Sequence, residues 1–578
     1  MIKEVYLVLK THLDIGYTDY ADVIVKEYLN TFIPQAIKVG NELKDTDTPF
    51  VWTVGSWLAF EALKHDKDGS VKKAIEDGIL TWHALPCTTH TELMSKKLFE
   101  YGISLSETLD KQFGKQTVSA KMTDVPGHTI AMVPILKKHG IKFLHIGVNP
   151  ATPVPEVPKL FKWKNGDDEI VVMYQGYYGL HDEFEDFAVC FAHTNDNCGP
   201  QSADEIKNIY AEISAKYPGA VIKAASLDDV ANRILQIENL PVVEKEIGDT
   251  WIHGGATDPK KLAQFRDLMR YYDNTDKEFD LSDNLLMVPE HTWGMSVQKF
   301  FPNTTEYDLK GLQNAIARGD ADVIAKSWEE QREYIKKSCD VLGYKANYEI
   351  PEFDFSKMKE IENKDPGIEL SWQIFDNSNY EHYKNCYLRL TDDNREWALW
   401  DYTKPGLHEY KGGIYVPKLI KAYTDGKKEY FVYEFEKAIK QEYGLPKLVL
   451  TIADGEATVV WTGKKALRMP NACWLKFKGQ KEQNWQIRKL GEWIKADDVI
   501  ASPLVAATDY GVTNGEVEIE CVDSAVVAPY GRRLLDFCLK NDKQDMYFNL
   551  YNNIWDTNFP MWYDDDAIFR FKIKKQGM

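Results

Sequence analysis

At 578 residues and 66.5 kDa the chain is too long for one hydrophobic core, and its 44% hydrophobic and 28% charged residues are those of a globular protein of about three or four domains. Against 70 Lys and Arg it carries 89 Asp and Glu, giving a net charge of -19 and a pI near 5.3. That sign excludes long-range attraction to a nucleic-acid backbone or an anionic membrane surface, and it favours a neutral substrate over an acidic one.

The first run, MIKEVYLVLKTH, is too short for a secretory signal and reads as a strand over Glu4–Lys10. Apolar runs then predict strands at Pro49–Val54, Leu80–Leu85, Val118–Met122, Lys142–Val148, Glu169–Gln175 and Ala220–Ala225, with amphipathic helices such as Ala203–Tyr217 between them. Strands alternating with helices imply a parallel sheet, and seven such strands can nearly close into a (β/α) barrel over residues 1–245. Residues 246–345 change character. Asp258-Pro259 starts a helix through Tyr272 and Ala321–Leu342 keeps helical periodicity, so a helical bundle is expected there. Beyond the polar stretch KMKEIENKDPG, turn signals at Thr424-Asp425-Gly426 and Asp454-Gly455 separate short alternating strands, so residues 346–578 are expected to form β-sandwich structure. Nowhere do about 18–20 apolar residues follow one another, as a membrane span would need. Eight cysteines (Cys87, Cys190, Cys198, Cys339, Cys386, Cys473, Cys521, Cys538) lack CxxC spacing, which fits unpaired thiols and a cytoplasmic location.

In a parallel barrel, ligands collect at the carboxyl ends of the strands. The first strand runs into THLDIGYTD, where His12 and Asp14, two residues apart in extended chain, point to one spot, and an imidazole with a carboxylate suits zinc. The third strand ends in ALPCTTHTELM with His90 and Glu92, the fourth in TDVPGHT with Asp124 and His128, and PEHTWGM carries Glu290, His291, Thr292 and Trp293. Asp196 lies in AHTNDNCGP, read as a polar loop before a helix. Each has an ordinary alternative: Asp124 can cap a turn, the histidines can be hydrogen-bonded structural residues, Tyr17 and Trp293 can be core aromatics, and Asp196 can be an N-cap. The concurrence of His and Asp at four separate segment ends is what raises the set above those readings.

HLDIGYTD, DVPGH and EHTWG, in this order and at these separations, resemble the zinc motifs of glycoside hydrolase family 38, the retaining α-mannosidases; Asn549–Tyr563 (NLYNNIWDTNFPMWY) is similar to a segment near the end of that family's β-sandwich. The resemblance implies a seven-stranded β/α barrel, a helical bundle and β-sandwich domains. It implies that one Zn2+ is held by His12, Asp14, Asp124 and His291, with Asp124 also the nucleophile. Tyr17, Trp57, His90, Glu92, Glu290, Thr292 and Trp293 are the expected sugar contacts, with Tyr17 and Trp293 stacking on the ring. The chain departs from the family's pattern at Ile15 and Tyr17, which replace Pro and Trp, and at Glu290 and Thr292, which replace the His and Asp flanking the zinc histidine. The family's acid loop is represented only by Asn195-Asp196-Asn197, which makes Asp196 the candidate general acid.

The function so implied is a metal-dependent retaining exo-α-glycosidase on short neutral oligosaccharides, without nucleic-acid or membrane partners; a homo-oligomer is left open. Two other readings stand beside it. One is a zinc-dependent carbohydrate deacetylase, in which the metal would activate water against an amide, although the His-x-x-x-His pair common in such enzymes is missing. The other is a non-catalytic carbohydrate-binding protein, which would need neither Asp124 nor Asp196.

Overall fold

The run Val5–Leu9 has no polar face, the pattern of an interior parallel strand, and in the computed structural model it is buried along its whole length. The structure describes residues 1–302, 305–478, 484–500, 505–536 and 545–575. It divides into two units, one of Met1–Thr91, Lys96–Ile247 and Pro289–Thr292, the other of Glu92–Ser95, Gly248–Val288 and Trp293–Met578.

The first unit contains β1 (Glu4–His12), β2 (Trp52–Gly55), β3 (Leu80–His83), β4 (Ser119–Asp124), β5 (Phe143–Val148), β6 (Leu160–Asn165), β7 (Asp168–Gln175), β8 (His181–Glu183), β9 (Phe187–Asp196), β10 (Val221–Ala224) and β11 (Val242–Val243). One sheet runs β3-β2-β1-β9-β8, with β10 also paired to β1; a second runs β11-β6-β7-β5-β4. All seven predicted strands are present, but among the described residues the ladders do not close into the expected seven-stranded barrel. Two features that apolar runs do not announce account for this. β9 is a parallel partner of β1, and β6 folds back antiparallel on β7. The sheets meet where the Ala84 N–H, just past β3, donates to the Ser119 carbonyl of β4 at 2.9 Å. Between them Tyr6, Val8, Phe143, Met173, Val189 and the helix Leu227–Ile234 make one apolar core. That helix and Ala203–Lys216 each start at a serine capping box, Ser226 with Asp229 and Ser202 with Glu205.

In the second unit Asp258 caps the helix Pro259–Asp273 and pairs with Arg332 of the helix Asp322–Leu342, Nε to Oδ2 at 2.6 Å. Among the described residues its β half forms a ten-stranded and a six-stranded sheet. Trp372 of the smaller packs on Trp461 of the larger with ring centroids 5.6 Å apart, and Phe548 on Phe571 at 5.2 Å, so the two sheets face one another across aromatic rings. The segment Asn549–Tyr563 is an internal polar scaffold: Asn553 Nδ2 donates to the carbonyls of Leu467 and Met561, and Asp556 pairs with Lys404 and Arg468. Among the described residues no helix is long and apolar enough to cross a membrane, and no two cysteines are joined; Cys538 lies outside the described residues.

Candidate metal and carboxylate site

β1 and β9 lie in parallel register, so His12 is the Cα partner of Asp196. Asp196 therefore belongs to the last turn of a strand ladder, a correction to its expected loop. Just past β1 the chain is clamped by Asn197, which holds a left-handed conformation (φ 54°). Its Oδ1 accepts from the Asp14 N–H at 3.0 Å while its Nδ2 donates to the carbonyl of Asp14 and the hydroxyl of Thr18. The buried Tyr28 hydroxyl donates to the His12 carbonyl at 3.1 Å. The loop after β1 is thus fixed by side chains that bear no chemistry themselves.

The Glu290–His291 segment reaches this unit through backbone pairing. His90 N–H donates to the Pro289 carbonyl at 2.9 Å, His291 N–H to the Thr88 carbonyl at 3.2 Å, and Thr89 bridges Glu290. His90 is fully buried and works here through its backbone.

These segments bring together His12, Asp14 and His291, whose ligand atoms all lie within 4.8 Å of one another, a grouping that can hold a metal ion. His12 Nε2 and His291 Nε2 each lie 3.0 Å from Asp14 Oδ1, and His291 Nε2 lies 3.5 Å from Asp124 Oδ2. Despite its closeness to Asp14, His12 Nε2 is buried and makes no hydrogen bond, as expected of a nitrogen aimed at a shared centre. His291 Nδ1 meets Glu290 Oε1 at 2.6 Å, the carboxylate–imidazole arrangement that leaves the other ring nitrogen to a metal. With an orphaned nitrogen, an oriented imidazole and the Asp14 carboxylate, His12, Asp14 and His291 fit a divalent cation, while Asp124, expected as a fourth ligand, lies outside that grouping.

Asp124 closes β4 at φ 78°, a left-handed conformation that costs a non-glycine residue about 1–3 kcal/mol and that aims its carboxylate. Oδ1 accepts from the Tyr178 hydroxyl at 2.5 Å and from Asn149 Nδ2 at 3.0 Å, so Oδ2 is the oxygen turned toward His291. Tyr178 can come this close because Gly147 lacks a side chain: a Cβ there would sit 2.8 Å from the backbone of Tyr177 and Tyr178. Tyr178, Asn149, Asn197 and Tyr28 were not foreseen from the sequence. The pair of tyrosines bracketed by glycines just past β7, Gly176-Tyr177-Tyr178-Gly179, is the signal that could have found one of them.

Burial resists ionisation of Asp14, but His12 and His291 outweigh it and hold its carboxyl below the usual range. His291 is raised well above an ordinary imidazole: burial opposes its charge, and Glu290, Asp124 and Asp14 overcome that. Asp196 moves the other way, up to about 7, through burial and the nearby charges of Asp14 and Asp124, with His12 partly opposing. Its Oδ1 is buried without a hydrogen-bond partner.

Among the expected sugar contacts, Tyr17 is half-buried in the loop after β1 with φ 59°, and Trp57 is buried in the helix Ser56–Lys64. The Thr292 N–H donates to Glu290 Oε2 at 2.9 Å. Glu92 and Trp293 belong to the second unit. There Glu92 is fully buried, paired with Lys489 at 2.9 Å and accepting the N–H groups of Asp249 and Ala507. Trp293 is 2% exposed with Lys261 Nζ 3.9 Å above its ring, and its N–H bonds Asn558 Oδ1 at 2.9 Å.

A family profile described as a domain of unknown function (DUF5054) matches residues 255–367. No curated protein matches the chain. Among solved structures, an alpha-mannosidase from Enterococcus faecalis V583 superposes with a TM-score of 0.57 at 8% identity, covering 99% of this chain and 87% of that one. A glycosyl hydrolase family 38 protein from Enterococcus faecalis gives 0.53 at 9% identity, covering 99% and 86%. The chain therefore shares the fold of these two proteins along almost its whole length.

Proposed function

We propose that the protein is a metal-dependent retaining exo-α-glycosidase, mannosidase-like, acting on short neutral oligosaccharides in the cytoplasm. The observation that carries this reading is the division of labour between two carboxyl groups. Asp124 has one oxygen tied down by Tyr178 and Asn149 and the other turned toward His291, while Asp196, in register with His12, is pushed up to about 7. A general acid must hold its proton near neutral pH, and the raised Asp196 carboxyl meets that requirement.

The reaction runs in two steps. Asp196 gives its proton to the glycosidic oxygen as the carboxylate of Asp124 attacks the anomeric carbon; the carbon–oxygen bond to the leaving sugar breaks and a glycosyl ester forms on Asp124. Asp196, now ionised, takes a proton from water, whose oxygen attacks the same carbon and frees Asp124, so two inversions retain configuration. Zn2+ bound by His12, Asp14, Asp124 and His291 would act as a Lewis acid that orients sugar hydroxyls. Tyr178 and Asn149 keep the nucleophile in one rotamer, and Glu290 keeps His291 in the tautomer that offers Nε2. Net charge of -19 and an uncharged ligand are compatible, and the left-handed Tyr17 offers a half-exposed ring to a sugar face.

A panel of aryl α- and β-glycosides in gluco, manno and galacto forms, with and without chelator, tests the reading. Release of a terminal α-linked monosaccharide that stops on chelation is expected, with mannose the leading sugar. Acetate released from N-acetylated sugars in its place would mark a deacetylase, and internal fragments without monosaccharide would sink the exo assignment.

A further inference from the structure

β9 carries a register shift against β1: His193 is the Cα partner of Lys10 and Asp196 that of His12, so the step from one pair to the next takes three residues on β9 and two on β1. In a regular strand, side chains three residues apart point to opposite faces. The extra residue of this bulge instead turns His193 and Asp196 onto one face, the face of Lys10 and His12. The aromatic rings agree. Tyr178, whose hydroxyl holds Asp124, packs against both His12 and His193, with ring centroids 5.0 Å from the first and 5.2 Å from the second.

His193 as a whole is half-buried, and its ring meets Tyr178 at 82° and Tyr177 at 81°, the latter with centroids 5.8 Å apart. These edge-on contacts account for where the ring lies. They do not account for its Nε2, which is buried without a hydrogen-bond partner among the described residues, as is Asp196 Oδ1. Buried polar atoms in a native interior find partners. Two positions that neighbour one another on a strand face are roughly 7 Å apart, and adjacent oxygens of one sugar, each bonded to one of the two side chains, fit such a gap. In a double displacement the acid and the nucleophile stand on opposite sides of the scissile bond, so the residue that adjoins the acid on its own strand faces the leaving group. Tyr177, also half-buried, adds an aromatic ring beside that nitrogen.

We propose that His193 sets the leaving-group specificity: its Nε2 bonds the hydroxyl next to the glycosidic oxygen on the departing sugar, while Asp196 serves that oxygen itself, so the substrate is a sugar linked to a second sugar and not to a simple aglycone. This rests on the glycosidase reading above. Three substrates separate the two, all in whichever of the manno, gluco and galacto series the wild-type protein cleaves fastest: the α-linked disaccharide, its analogue deoxygenated beside the linkage on the leaving sugar, and the α-glycosyl fluoride, whose leaving group has no hydroxyl. In the wild-type protein the deoxy analogue should lose roughly tenfold in kcat/KM against its parent. His193→Ala should lose the same factor on the parent and nothing further on the analogue, and should stay within about twofold on the fluoride. His193→Gln, whose amide can stand in for the imidazole nitrogen, should recover part of the loss. A wild-type protein that cleaves the two disaccharides alike overturns the proposal whether or not the variants fold. So does an equal loss on fluoride and disaccharide in His193→Ala, which would make His193 a support for Tyr178 and Asp124 alone. In either case cleavage of the fluoride by the wild-type protein leaves the glycosidase reading standing, whereas no cleavage in any series removes that reading and this proposal together.

Discussion

Glu290 Oε1 holds His291 Nδ1 at 2.6 Å, and that contact turns His291 Nε2 toward Asp14 and Asp124. Glu290 thus supplies a carboxylate that orients the His291 imidazole within the candidate metal cluster. Glu290→Gln should weaken divalent-metal affinity about 10- to 100-fold. Competition against a chromogenic chelator measures it, and unchanged affinity would show that the tautomer is fixed by something else.

Tyr178 and Asn149 both donate to Asp124 Oδ1. A hydrogen bond to a charged group contributes about 1.5–3 kcal/mol, so Tyr178→Phe should lower kcat/KM roughly ten- to a hundred-fold with little change in metal content. Steady-state kinetics beside metal analysis checks this; loss of metal without loss of activity in the loaded enzyme would contradict it.

A covalent ester on Asp124 predicts two further observations. Proton NMR should show the first-formed sugar with its starting anomeric configuration, and a slow 2-fluoro glycoside should leave its glycosyl mass on the peptide that contains Asp124. A label on any other carboxylate, or an inverted first product, rules the mechanism out.

As the proposed acid Asp196 must carry its proton, and since burial with the charges of Asp14 and Asp124 pushes it up to about 7, activity should fall as pH rises through about 7. Asp196→Ala should cost about 10²- to 10⁴-fold on substrates with poor leaving groups and much less on activated aryl glycosides, and it should flatten the alkaline limb of the pH profile. An unaltered limb in the variant would assign that limb to another group.

Asn197→Ala removes the clamp on the loop after β1 and puts alanine at φ 54°. The expected destabilisation is about 1–3 kcal/mol, read as a lower Tm. Asn197→Gly should be milder than the alanine change, since glycine tolerates the conformation while losing the same hydrogen bonds.

The sequence by itself determined the seven apolar runs that became β1–β5, β7 and β10, and the pairing of His12 with Asp14, because both follow from local periodicity: alternate residues of an extended chain share a face. It also carried the helix start at Asp258, where the side chain caps its own helix within three residues. Tertiary structure alone decided that β9 lies beside β1 and sets Asp196 against His12, that Thr88–His90 holds Glu290 and His291 in place, and that Gly147 admits Tyr178 to Asp124. It alone opened the ladders into two sheets where a closed ring was expected. The physical reason is range. A period of two says that a segment is a strand, whereas its neighbours are chosen by burial and hydrogen bonds between residues far apart in the chain, 54 positions for Tyr178 and Asp124 and 184 for His12 and Asp196, and no local pattern encodes that choice.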